Sequence, residues 1–144
     1  MPMDPSYYAT LTWAENKTPA KEELPPLIRS LAQLTISQME ACECKNKDCM
    51  SLSSFETIPC REAKRAWARA QLLLGGEVAK TDNYDRISEL DEWIKEHPQL
   101  KFSVEYLSCD GAGMWGSREW YEGGRLVARQ NTSPQIVWGE RETL

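Results

Sequence analysis

The chain of 144 residues is 41% hydrophobic and 27% charged, a length and balance that suit one folded domain with a real core and exclude a low-complexity polypeptide. Its formal net charge of −5 excludes a protein whose whole surface grips nucleic acid. No apolar run approaches the roughly 20 residues of a membrane helix, and the opening MPMDPSYYATL has neither the basic start nor the apolar core of a signal peptide, so the cytosol, where thiols stay reduced, is the expected compartment.

The first element is the stretch YYATLTW, which alternates cleanly. Tyr7, Ala9, Leu11 and Trp13 fall on one face and Tyr8, Thr10 and Thr12 on the other, which predicts a half-buried strand. In the next stretch Leu24, Leu27, Ile28, Leu31 and Leu34 follow helical spacing. Pro25 and Pro26 lack the N–H a helix interior needs, so the regular part is expected to begin at them.

A cysteine-rich loop over 41–60 follows, inserted between this helix and the next. Cys42, Cys44, Cys49 and Cys60 read C-x-C-x4-C-x10-C, and the total of five cysteines does not suit a closed disulfide framework. Two thiolates one residue apart in a tight turn can share a tetrahedral ion. The polar KNKD lets the chain return with Cys49, and Cys60 beside Pro59 meets the start of a helix, whose dipole favours thiolate. The expectation is a structural Zn2+ on these four residues, closed to water and therefore without chemistry of its own. Free thiols, some buried as small apolar residues, and a redox pair are the alternatives, since paired C-x-x-C knuckles are missing. Lys45, Lys47, Arg61, Lys64 and Arg65 surround the cluster in sequence. They either screen a thiolate centre or present a small basic surface to phosphates or to an acidic protein.

The second helix is predicted over 61–74. Ala63, Ala66, Trp67, Ala70, Leu73 and Leu74 form one stripe, and Gly75-Gly76 is the stop. A third helix is predicted over 83–96, with Tyr84, Ile87, Leu90 and Ile94 inward and His97-Pro98 at its end. Opposite that stripe, Asp85, Glu89, Glu92 and Glu96 form an acidic ridge about 16 Å long at about 1.5 Å per residue. The ridge is either a solvated face or an imitation of a row of phosphates.

The strongest strand signal is LKFSVEY, with Leu100, Phe102, Val104 and Tyr106 inward. The segments WGSREWYE and RLVARQ around Gly123-Gly124 predict a hairpin, and QIVW a last short strand. Trp13, Trp67 and Trp93 lie in or near apolar stripes and read as core. Trp115, Trp120 and Tyr121 cluster on the hairpin, where they serve sheet packing, a protein hot spot or a base-stacking platform. The elements define one α+β domain spanning 1–144, with a mainly antiparallel sheet and about three helices.

Several motifs fail on context. GAGMWG, Gly111 to Gly116, matches G-x-G-x-x-G, but an aromatic strand-like segment follows where a dinucleotide site needs a helix. The kinase signatures that could accompany a glycine loop between strands are missing. A zinc deaminase needs H-x-E and P-C-x-x-C, yet the single histidine, His97, precedes Pro98-Gln99. A Cys109–His97 pair has no orienting third group. An enzyme is therefore the least favoured class.

The segment LDEWIKEHPQLKFSVEYLSCDGAGMWGSREWYEGGRLV resembles the closing part of small phage and plasmid proteins with a ferredoxin-like domain of unassigned role. What carries the likeness is a layout: a helix ending at HP, an alternating strand, a glycine loop and an aromatic hairpin. It implies a ferredoxin-like variant of the α+β fold and a mobile-element origin. The leading expectation is thus a non-enzymatic cytosolic binding or inhibitor protein with a zinc-pinned loop. With the resemblance, a counter-defence role follows, blocking a host nucleic-acid-processing complex through a protein partner. The alternative is a zinc-containing nucleic-acid-binding module that uses the basic patch and the hairpin aromatics. Salt response separates them, because phosphate binding weakens steeply with salt.

Metal analysis of protein purified without added zinc is expected to return about one equivalent per chain, falling in Cys44→Ser and Cys49→Ser. Well under one equivalent, with every thiol freely titratable, would count against the metal.

Overall fold

The computed structural model describes residues 6–38, 61–81, 86–110, 113–131 and 138–144. The cysteine-rich loop, with Cys42, Cys44, Cys49, Cys60, Lys45 and Lys47, lies outside the described residues, as does Asp85. Among the described residues no helix is long and apolar enough to cross a membrane.

Strand β1, Ser6–Trp13, follows the predicted alternation, with Ala9 and Leu11 fully buried. Helix α1 spans Leu24–Ser37 and carries Pro25 and Pro26 in its first turn, where the missing N–H has no intrahelical partner to lose. Its deepest residues are Leu27, Leu31, Ala32 and Ile36, while Leu24, Ile28 and Leu34 pack half-buried against the same core. Helix α2 spans Arg61–Leu74 and buries the six residues of its predicted stripe.

The end of α2 shows why the chain turns there. Glu77 N–H donates to the Leu72 carbonyl and Gly76 N–H to that of Leu73, the paired bonds of a Schellman cap. Gly76 sits at φ +76°, which a side chain resists. The turn delivers strand β2, Ala79–Thr81, onto β1 at Tyr7–Ala9. Three residues are too few to show alternation, so β2 was not foreseen.

Helix α3, Glu89–Lys95, is shorter than the predicted 83–96. Arg86 precedes it outside the helix and turns its guanidinium back onto Asp91, while Ile87 is buried as its spacing required. Strands β3 (Phe102–Asp110), β4 (Gly113–Glu122) and β5 (Arg125–Asn131) then form a meander. The β4–β5 connection is the two-residue turn Gly123-Gly124 at φ +62° and +82°, the positive-φ geometry of a type I′ hairpin. Of the expected strand QIVW, residues 135–137 lie outside the described residues and Trp138 forms an isolated bridge; a short strand β6 forms at Glu142–Thr143, against β5.

The described strands make one antiparallel sheet in the order β2-β1-β3-β4-β5-β6. The class is α+β. The consecutive run β3 to β6 differs from the interleaved order of a ferredoxin-like sheet, because β3, β4 and β5 are joined by short connections rather than by a second helical crossover. Helices α1, α2 and α3 cover one face of the sheet, and a single cluster of buried residues unites them with β1, β3 and β4.

Phe102 is the hub of that cluster. Its ring stacks on Tyr121 at 5.0 Å, lies tilted to Trp93 at 6.0 Å and meets Trp13 edge-on at 5.5 Å. Phe102→Ala is expected to destabilise the fold by about 3–5 kcal/mol through lost burial and an unfilled cavity. The urea midpoint should drop accordingly; a loss under about 1 kcal/mol would show that the cluster collapses around the gap.

Candidate functional site

Two polar regions stand out, one between helix and sheet and one on the open face. The first centres on Arg86, which is partly exposed. Its Nε donates to Glu119 Oε1 at 2.6 Å, its two terminal nitrogens donate to the Asp91 carboxylate at 2.5 and 2.7 Å, and Nη2 also reaches Tyr121 OH at 2.5 Å. The hydroxyl of Tyr121 points to Glu119 Oε1, and Tyr106 OH accepts from the Ile87 N–H at 3.1 Å. Glu119 is 3% exposed and takes Arg129 as a second, longer partner at 3.9 Å.

The hydrogen bond to Asp91, followed by that to Glu119, keeps the Arg86 proton even more firmly than usual, against the cost of partial burial. Burial pushes the phenols of Tyr106 and Tyr121 well above their ordinary value. Among the described residues no buried side-chain polar atom lacks a partner. A network this saturated, with neutral phenols and paired charges, works as a clamp that fixes the approach to α3 against β4.

The open region is the other face of the sheet, which none of the described helices covers. The register places Thr12, Ser103 and Trp120 in one row across β1, β3 and β4, and Thr10, Glu105 and Arg118 in the next. None of these six side chains is buried. Arg118 Nε donates to Glu105 at 3.1 Å. A cavity of about 250 Å³ opens beside Trp120, lined by Thr12, Ser103, Lys101, Glu122 and Arg141.

The indoles here are covered by cations in a reciprocal way. The guanidinium of Arg141 lies 3.9 Å from the ring centre of Trp120, and that of Arg118 lies 3.8 Å from that of Trp138. β4 thus supplies one arginine and one tryptophan, and the segment around β6 supplies the complementary pair. Gly139 bridges that segment to β5, its N–H donating to the Asn131 carbonyl and its carbonyl accepting from Gln130 Nε2 at 2.7 Å.

The sequence-derived candidates divide accordingly. Trp120 is on the open face, beside the cavity. Tyr121, one residue on, points the other way and is fully buried against Phe102, so it belongs to the core and is closed to a partner. Trp115 pairs with Ser108 in the register of the helix-covered face and is half-buried. Of the acidic ridge, Glu89 is drawn inward, accepting from Arg69 Nη2 at 2.5 Å and from Thr35 Oγ1 at 3.1 Å. Only 13% of its side chain is exposed, so it cannot stand in a row of surface charges. Glu92 is exposed and pairs with Lys95, and Glu96 is exposed beside them. Arg61, Lys64 and Arg65 are exposed on α2.

His97 sits near Ser30 Oγ at 3.4 Å, while Trp93 Nε1 donates to the same hydroxyl at 2.8 Å. Burial lowers the imidazole pKa, partly opposed by Glu96. Cys109 lies in register with Ser6 and Met114 on the open-face side of β3, so His97 and Cys109 do not form a pair.

Arg118, Trp138, Arg141, Thr12 and Ser103 were not singled out from the sequence. Strict alternation along WGSREWYE would have separated Trp120 from Tyr121 and joined it to Arg118. Nothing local marks Trp138 or Arg141, which reach the face only through the return of the chain along β5.

Among the described residues no group of three or more His, Cys, Asp or Glu side chains could hold a metal ion. No protein-family model, curated protein or solved structure matches the chain.

The clamp generates an alkaline signature. Because folding raises both phenol pKa values, the native state keeps protons that the unfolded chain releases near pH 10. Their contribution is full below that pH and is lost as pH rises beyond it. Unfolding free energy is expected to decline above pH 10, and Tyr121→Phe should flatten the decline; an equally steep loss in that variant would remove Tyr121 as its source.

Proposed function

We propose that this protein is a non-enzymatic binding protein whose working surface is the uncovered face of the sheet. The observation that carries the reading is the cavity beside Trp120, on a face where two indoles and two arginines are paired across strands. Stacked cations and aromatics hold a large polarizable surface in place at little entropic cost, the property of residues that dominate binding energy. The acidic ridge contributes less to this reading, since Glu89 is committed to Arg69 and Thr35.

The polar side chains around Arg86 are committed to one another, which suits a framework rather than a reaction centre. The zinc proposed for Cys42, Cys44, Cys49 and Cys60 has the same character, pinning a polar loop just before α2. A mobile-element origin, as the C-terminal resemblance implies, would make counter-defence the setting for such a binder.

The test is capture from a cytosolic extract by the intact protein and by a Trp120→Ala/Arg141→Ala double variant, each with and without nuclease treatment. The wild type is expected to retain a defined component that the variant loses while its circular dichroism is unchanged. Equal capture by the two proteins would place the working surface elsewhere.

A further inference from the structure

We propose that the occupant of the open sheet face is single-stranded nucleic acid, with one nucleotide seated in the cavity beside Trp120; this rests on the reading of that face as the working surface. The first ground is charge. The register and the cavity bring Lys80, Lys101, Arg118, Arg125 and Arg141 to this side, against Glu105 and Glu122. The protein as a whole carries −5. Its excess of carboxylates therefore lies away from this face. A strand of phosphates meets a locally cationic face on an acidic molecule.

The second ground is the kind of group the cations accompany. Tyr8, Trp120 and Trp138 are half-buried. An indole that holds a guanidinium at 3.9 Å offers a flat π-surface of the kind a base uses. Base stacking on an indole is stronger than an exposed cation–π contact, so a base can take the ring while Arg141 moves to a phosphate. The hydroxyls of Thr12 and Ser103 border the cavity and can hydrogen-bond a base edge or a sugar.

The third ground is shape. Among the described residues the face is a sheet surface with no helix standing out from it to enter a duplex groove. Unstacked bases can lie flat on such a surface, and paired bases cannot.

The experiment is fluorescence anisotropy of a labelled oligothymidylate and a labelled oligouridylate, each about a dozen nucleotides long, to suit a site size of roughly 4–16 nucleotides. A duplex of the same length serves as comparison, titrated with the intact protein at several salt concentrations. Saturable binding to a single strand is expected, at least 10-fold tighter than to the duplex. Trp120→Ala should weaken it at least 10-fold, and Arg141→Gln should lower the salt slope by about 0.7, the share of one phosphate contact on a single strand. The Arg141 variant keeps the test decisive should Trp120→Ala unfold. An Arg61→Glu/Lys64→Glu/Arg65→Glu variant on α2 should bind as the wild type does.

Three outcomes overturn the proposal: no saturable binding of either single strand, equal binding of the duplex, or loss of binding only in the α2 variant. If no oligonucleotide binds while a nuclease-resistant component is still captured in a Trp120-dependent way, the face serves a protein partner. The nucleic-acid proposal then falls, and the reading of the surface stands.

Discussion

The burial of Phe102 is the contact on which the rest of the structure depends. Its ring meets aromatic side chains from β1, from α3 and from β4, so one side chain ties three elements of different sequence separation into a single core. Dispersion is small per atom pair and large over such a cluster, and each ring is held in a fixed orientation by the others. The Arg86 clamp adds direction to this adhesion. It lies between α3 and β4 and pins the start of the helix layer where apolar contact alone would let it slide.

The chemistry of the open face is a consequence of the pleat. Since successive side chains in a strand point to opposite sides, burying Val104, Tyr106 and Tyr121 forces Glu105, Ser103 and Trp120 outward. The bulge between Trp120 and Tyr121 is the point at which β5 shifts register, bringing Ala128 opposite Trp120. The residue there is small, and Arg141 and Trp138 reach Trp120 and Arg118 of β4.

Much of the fold was legible in the sequence because the long elements are strongly periodic. The stripe of α2 and the inward residues of β3 were both read residue by residue, and Pro25-Pro26 and Gly75-Gly76 marked their helix ends for reasons of covalent geometry. What escaped reading was non-local. β2 and β6 are too short to have a period and exist only because another strand offers them partners. The helix predicted from residue 83 begins at Glu89, and Arg86 before it is held both by Asp91 of the helix and by Glu119 and Tyr121 of β4. The candidate site was half legible. Trp120 was found but grouped with Tyr121 by proximity along the chain, when the pleat sets them back to back. Glu89 was read as surface charge because its partner Arg69 sits on a different helix, a pairing no spacing rule reveals.

The edges of the sheet carry a further consequence. One is closed by β2, three residues with Lys80 exposed at its centre; the other by β6, two residues preceded by Arg141. Short, charged border strands present too few unpaired backbone groups to template another strand. Lateral growth of the sheet, whether by self-association or by a peptide added in register, is therefore disfavoured where these two strands border it. Whatever this molecule meets is steered to approach it broadside.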